Sequence, residues 1–281
     1  MRYGYICTNY NNSDFTVTAA ETLMANGVPP DVIVVVDNAS TPGEIAKLHE
    51  LAARYPCIQL ILSQKNVGYF AGLNLGIEAV RESGLDCCVI GNNDLEFPPN
   101  FGEELACVIY DHATDPVISP HILTLDGVPQ NPHVISEINW ARELVYDVYY
   151  SSFALARLVL AAARLTHRFT DRKDERSFAD PQYIYQGHGS CYIMTRTFFE
   201  KFGSLWAPTF MMGEEYFLSR QLSDKGFRIF YDPRVTIRHR CNGALDKVPA
   251  RRAWSMARDA HRVYRRYVNP WHRQKQLPEK G

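Results

Sequence analysis

The chain has 281 residues, a formal net charge of −1, 46% hydrophobic residues and 22% charged ones, a size and balance that allow one large domain with a sizeable core. Near-neutrality excludes a global attraction to nucleic acid, and no run reaches the ~20 apolar residues that a membrane-spanning helix requires. Seven cysteines, an odd number without C-x-x-C spacing, read as reduced thiols, and the opening MRYGYICTNYNNSD lacks the apolar stretch of a secretion signal, so a cytoplasmic protein is expected.

The first 120 residues alternate strand and helix signals. YGYICT reads as a strand and 13–26 as a helix stopped by Gly27; DVIVVV (31–36) is a short β-branched strand. Thr41, Pro42 and Glu44 have the spacing of a capping box and open a helix to Arg54. CIQLIL (57–62) is a third strand, 69–82 a helix, CCVI (87–90) a fourth strand, 98–110 a helix, and PVISP a fifth strand. Such alternation predicts a mostly parallel sheet with helices on both faces, and ligands of such sheets lie beyond the C-terminal strand ends. Polar residues gather there: Thr8, Asn9 and Tyr10 after the first strand, Asp37 and Asn38 after the second, Asn66 and Gly68 after the third, and Asn92, Asn93 and Asp94 after the fourth. The first turn has no glycine, which removes a dinucleotide oxidoreductase.

Over 124–185 the alternation stops. The segment from Trp140 to Phe169 reads as a long helix or helix pair carrying Arg157, Arg164 and Arg168 on one face. GHGSCYIM then resumes as a strand, RTFFEKFG and GEEYFLSRQLSDKG read as helices, and FRIFYDP and VTIRHR as two further strands. From Lys247 to Gly281 ten Lys/Arg face only Asp259 and Glu279, so a basic helical tail is expected.

In order, TNYNNSD, IVVVDNAST, NVGYFAGLNLGI, GNNDLEFPPNF and GSCYIM…MMGEEYFLSRQLSDKGFRIFYDP…IRH resemble the inverting, nucleotide-sugar-dependent transferases of glycosyltransferase family 2. The likeness covers roughly 3–120 and 186–240. It implies an α/β GT-A fold in one domain, 1–281. Its parts would be a nucleotide-sugar-binding half (1–120), a helical insertion (124–185), an acceptor or catalytic half (186–240) and the basic tail (247–281).

The resemblance implies a UDP- or dTDP-sugar donor, a saccharide or lipid-linked acceptor, and Mn²⁺ or Mg²⁺. It also suggests a role in bacterial surface polysaccharide or glycolipid synthesis. Asp37 can accept the N3–H of uracil or thymine; Thr8, Asn9, Tyr10, Asn38, Asn66, Gly68 and Asn93 would complete the nucleotide site. Asp94 corresponds to the metal-binding aspartate of the family's Asp-x-Asp, with Asn92 departing from a double carboxylate, and His239 to a second metal contact. Glu215 takes the position of the base that deprotonates the acceptor, beside Glu214. Gly187, His188 and Gly189 would lie beneath the donor sugar. The rivals are a nucleotidyltransferase, whose glycine- and basic-rich phosphate loop is missing after the first strand, and a non-catalytic sugar-nucleotide sensor, which would not need the Glu214–Glu215 pair. The arginine face and the tail, with Trp254 and Trp271, suit anionic lipid, or else a helix pair that covers the core or forms a homodimer.

Overall fold

A computed structural model describes residues 1–135, 140–165, 178–241 and 250–268. The β-branched and apolar runs form strands β1 (Tyr3–Asn9), β2 (Val32–Asp37), β3 (Ile58–Leu62) and β4 (Cys87–Asn92), connected by helices α1 (Ser13–Met24), α2 (Pro42–Arg54) and α3 (Tyr69–Val80). After β4 come β5 (Leu95–Glu96), α4 (Phe101–Asp111), β6 (Val117–Thr124), α5 (Trp140–Ser151), α6 (Phe153–Leu165), β7 (Gln182–Ile184), β8 (Cys191–Thr195), α7 (Arg196–Lys201), α8 (Glu214–Ser223), β9 (Ile229–His239) and α9 (Ala250–Val268). The sheet runs β3-β2-β1-β4-β8-β6-β9-β5, with β7 paired to β9. β8, β5 and β7 run against their neighbours, while β1 to β4, β6 and β9 share one direction, so the sheet is mostly parallel, as expected.

Alternate side chains of the inner strands enter opposite layers, as a period of two demands. Tyr5, Cys7, Ile33, Val35 and Val89 pack with α1, α2 and α4, whereas Ile6, Val34, Val36, Cys88 and Ile90 pack with α3 and with Leu218 and Leu222 of α8. Cys87 and Cys88 are therefore core side chains, one to each layer, with burial pushing both thiols up.

Local expectations changed in three places. Thr41 makes no capping bond through its side chain; Glu44 instead accepts from the Ser13 amide at 2.7 Å, pinning α2 to the start of α1. FRIFYDP and VTIRHR, expected as two strands, are one strand, β9, because a register shift opposite Pro120 and His121 absorbs Pro233. The short strands β5 and β7 have too few residues to show a period.

The register sets the mouth of the sheet. Asn9 lies opposite Asp37, Thr8 opposite Asn92, and β5 pairs Leu95 with His239, so the last strand delivers its histidine beside Asp94. The insertion folds as the pair α5 and α6, divided at Ser152. Among the described residues, neither helix contributes to the two core clusters. Arg168 and Trp271, the Arg164 side chain, and the tail beyond α9 lie outside the described residues.

Candidate active site

At the C-terminal edge of β1 and β4 a cleft of about 440 Å³ opens between the sheet, the 187–190 loop and the start of α8. Thr8, Asn9, Tyr10, Asn38, Asn66, Gly68, Asn93, Asp94, His188, Gly189, Glu214, Glu215 and His239 all line it. Asp37 and Gly187 do not.

Asp37 is fully buried. Its carboxylate accepts from Asn9 Nδ2 at 2.8 Å and from the Ser40 amide at 2.9 Å, so it closes the turn into α2 behind the cleft wall. The adjacent Asn38 turns to the cleft, with its Nδ2 donating to the Gly68 carbonyl at 3.1 Å. Gly187 is a packing position: a Cβ there would overlap the Ser119 hydroxyl, and its carbonyl accepts from the Tyr192 hydroxyl at 2.8 Å. Gly68 has φ +92°, and a Cβ would overlap the Phe210 carbonyl, so only glycine suits this turn.

The last residue of β4 and the two after it divide the work. Asn93 is buried and points inward, with Nδ2 2.7 Å from Thr16 Oγ1 and 2.9 Å from Asn12 Oδ1; it ties the loop to α1. Asn92 Nδ2 lies 3.2 Å from His239 Nε2. Asp94 is 2% exposed, and neither carboxylate oxygen has a hydrogen-bond donor among the described residues. His239 Nε2 lies 3.2 Å from Asp94 Oδ1 without the alignment of a hydrogen bond. His239 Nδ1, 2.8 Å from Gln130 Oε1, has an acceptor there; as this network assigns the proton, the Nε2 lone pair faces Asn92 and Asp94.

A sealed carboxylate without a donor is costly unless a cation completes it. An oxygen ligand with an imidazole nitrogen beside it fits Mn²⁺ or Mg²⁺. Among the described residues no cluster of three or more His, Cys, Asp or Glu could hold an ion, so further ligands would have to come from elsewhere.

Across the cleft, Glu215 Oε1 accepts from the Gly189 amide at 3.1 Å, and a Cβ on Gly189 would sit 2.6 Å from that oxygen. Glu214 is buried, and its Oε1 accepts from the Met212 amide at 2.9 Å. Burial, then the neighbouring Glu215 charge, pushes the Glu214 carboxyl up to about 8, so it carries a proton at neutral pH. His188 is pushed down to about 3 by burial and by His133 and His239, and so stays neutral; its amide donates to Asn131 Oδ1 at 2.6 Å. Sequence reasoning missed Gln130, Tyr69, Met211, Met212 and Cys241, all of which line the cleft. For Tyr69 a signal existed, since it directly follows Gly68; Gln130 lies in the insertion, where the strand pattern had ended.

The profile for Glycosyl transferase family 2 matches residues 6–203, more than half of the chain. The chain belongs to glycosyl transferase family 2. No curated protein matches this family member significantly in sequence. Solved structures share its fold at low identity. GalNAc-T7 with UDP, GalNAc and Mn²⁺ is 14% identical with a TM-score of 0.57, covering 85% of this chain and 44% of its own length. Residues 1–349 of Staphylococcus aureus TarS with UDP-GlcNAc are 11% identical with a TM-score of 0.58, over 96% of this chain and 68% of that one. The mannosyltransferase PcManGT from Pyrobaculum calidifontis with GDP-Man and Mn²⁺ is 16% identical with a TM-score of 0.53, over 98% and 72%. This family member therefore has the GT-A fold, and it spans less than half the length of the first of these proteins.

Proposed function

We propose that the protein transfers a sugar from a UDP- or dTDP-sugar to an acceptor hydroxyl, inverting the anomeric centre. The observation that carries this reading is the buried Asp94 carboxylate, without a donor among the described residues, facing His239 Nε2 across from Glu215. The solved structures with UDP, UDP-GlcNAc and GDP-Man support a nucleotide-sugar donor. Asn38 takes the base-reading part first given to Asp37, because an amide offers both the acceptor that N3–H needs and a donor for the adjoining carbonyl.

A divalent cation held by Asp94 and His239 would supply counter-charge to the diphosphate of the donor. The chain does the rest. Glu215, fixed by the Gly189 amide and open to the cleft, accepts the proton of the attacking hydroxyl. Glu214 is buried with its Oε1 bonded to the Met212 amide, whereas Glu215 is only half-buried, which favours Glu215 as the base. Tyr69 holds the opposite side of the 187–190 loop by donating to the Gly189 carbonyl at 2.8 Å, so the loop keeps its position as the sugar enters. Polysaccharide or glycolipid synthesis is the setting in which such a transfer would serve.

The test is incubation with UDP-, dTDP- and GDP-sugars and Mn²⁺, measuring free nucleoside diphosphate. Asp94→Ala should lower release by several kcal/mol of barrier, about a thousandfold. Glu215→Gln should keep donor affinity and lose transfer by about 10²- to 10⁴-fold. Pyrophosphate release would support a nucleotidyltransferase instead, and binding without turnover a sensor.

A further inference from the structure

Helix α5 is turned inside out. A helix on a soluble domain ordinarily sends carboxylates to water and apolar side chains inward. In α5, Glu143 is 5% exposed and accepts from the Tyr264 hydroxyl, while Asp147 pairs with Arg265 at 2.8 Å and lies 3.8 Å from His261. Burial raises the Glu143 carboxyl and holds His261 down at about 4, so this polar seam against α9 is enclosed. The other side of α5 leaves Trp140 (64% exposed), Leu144, Val145 and Val148 in water, and α6 adds Leu155 and Leu158 (65%). Trp254, expected on such a surface, is instead buried against Phe153, with its indole N–H donating to the Tyr149 carbonyl at 3.3 Å. It fastens the helix pair to α9.

Charge identifies what covers the apolar side. Arg157 stands exposed beside Leu158, and α9 exposes Arg251, Arg252, Arg262 and Arg266 against one exposed carboxylate, Asp259. Exposed tryptophan and aliphatic side chains, on a helix group that also exposes an excess of arginines, match the boundary between acyl chains and acidic headgroups, where the guanidinium stays with phosphate and the apolar part enters. We infer that the exposed apolar side of α5 and α6, with the arginines of α6 and α9, is a docking surface for an anionic phospholipid bilayer.

The inference does not depend on the transferase reading. It is tested by flotation of the full chain with vesicles of phosphatidylglycerol and phosphatidylcholine, against phosphatidylcholine alone. The protein should float with the acidic vesicles, and far less with neutral ones or at high salt. Trp140→Ser/Leu144→Ser/Val148→Ser should lower partitioning about tenfold or more, as should Arg251→Ser/Arg252→Ser, which leaves the apolar side intact. Both variants change exposed side chains, and unchanged helix content by circular dichroism confirms folding. Failure of the parent to float, or flotation that neither variant weakens, overturns the inference. So does a concentration-dependent dimer in sedimentation that the triple-serine variant abolishes while vesicles remain unbound, since that would make the face a contact between copies. Nucleoside diphosphate release without flotation sinks this inference alone; flotation without release sinks only the transferase reading.

Discussion

At Asp94 the chain places a buried carboxylate for which the described residues offer no hydrogen-bond donor, with His239 Nε2 3.2 Å from its Oδ1. Gln130 decides which histidine nitrogen is available, because its Oε1 occupies Nδ1. Gln130→Leu should therefore leave the fold intact and weaken Mn²⁺ binding about tenfold or more, read from the electron paramagnetic resonance signal of free Mn²⁺. An unchanged affinity would remove Gln130 from the site. Glu214 bears on stability. Its folded carboxyl titrates near 8 and its ordinary value is 4.5, so the folded chain holds a proton that the unfolded chain gives up. This preference favours folding fully below about 4.5 and is lost as pH rises through about 8. Glu214→Gln, which cannot titrate, should lose roughly 1–3 kcal/mol less stability than the parent between about pH 6 and 9, measured by urea unfolding. Equal slopes would contradict the buried, protonated state.

At the scale of elements, the close seating of α3 on β1 sets the nucleotide side of the cleft. Gly76 lies against Ile6, where a Cβ would overlap the Ile6 side chain, and Gly72 lies against Thr8. Gly76→Ala should cost about 1–3 kcal/mol by overpacking and weaken nucleotide binding through displacement of the Gly68 turn; denaturant unfolding with and without UDP measures both. These elements were legible in the sequence because the β-branched runs and the glycines at 68, 72 and 76 carry their own geometry. Asn38, Asn66 and Asp94 could be placed because strand ends of a parallel sheet converge. The role of Asp37 was not legible, since an acid ending a strand looks alike whether it meets a ligand or the Ser40 amide; only the distances separate them. Nor was the unity of β9, because the bulge that accommodates Pro233 belongs to the pairing with β6 and not to either segment alone. Gln130 escaped for a similar reason: its partner is 109 residues distant along the chain.

Across the molecule, the sheet is built in two instalments. β1 to β4 form a parallel set that supplies Thr8, Asn38, Asn92 and Asp94, and β6, β8 and β9 extend it and return His239 to the same edge. The 187–190 loop and α8 then close the opposite wall with Gly189 and Glu215. The helical insertion departs from this plan, packing its carboxylates against α9 and leaving apolar side chains outside. Composition could not reveal that reversal, because the same residues on the opposite face would make an ordinary amphipathic helix. Whether the cleft works as proposed turns on where a cation sits. A crystal of the protein soaked with Mn²⁺ and UDP should show the manganese anomalous peak within coordination distance of the Asp94 carboxylate and the UDP diphosphate, with the uracil edge at Asn38. A peak elsewhere, or UDP bound with Asp94 still unliganded, would contradict the account.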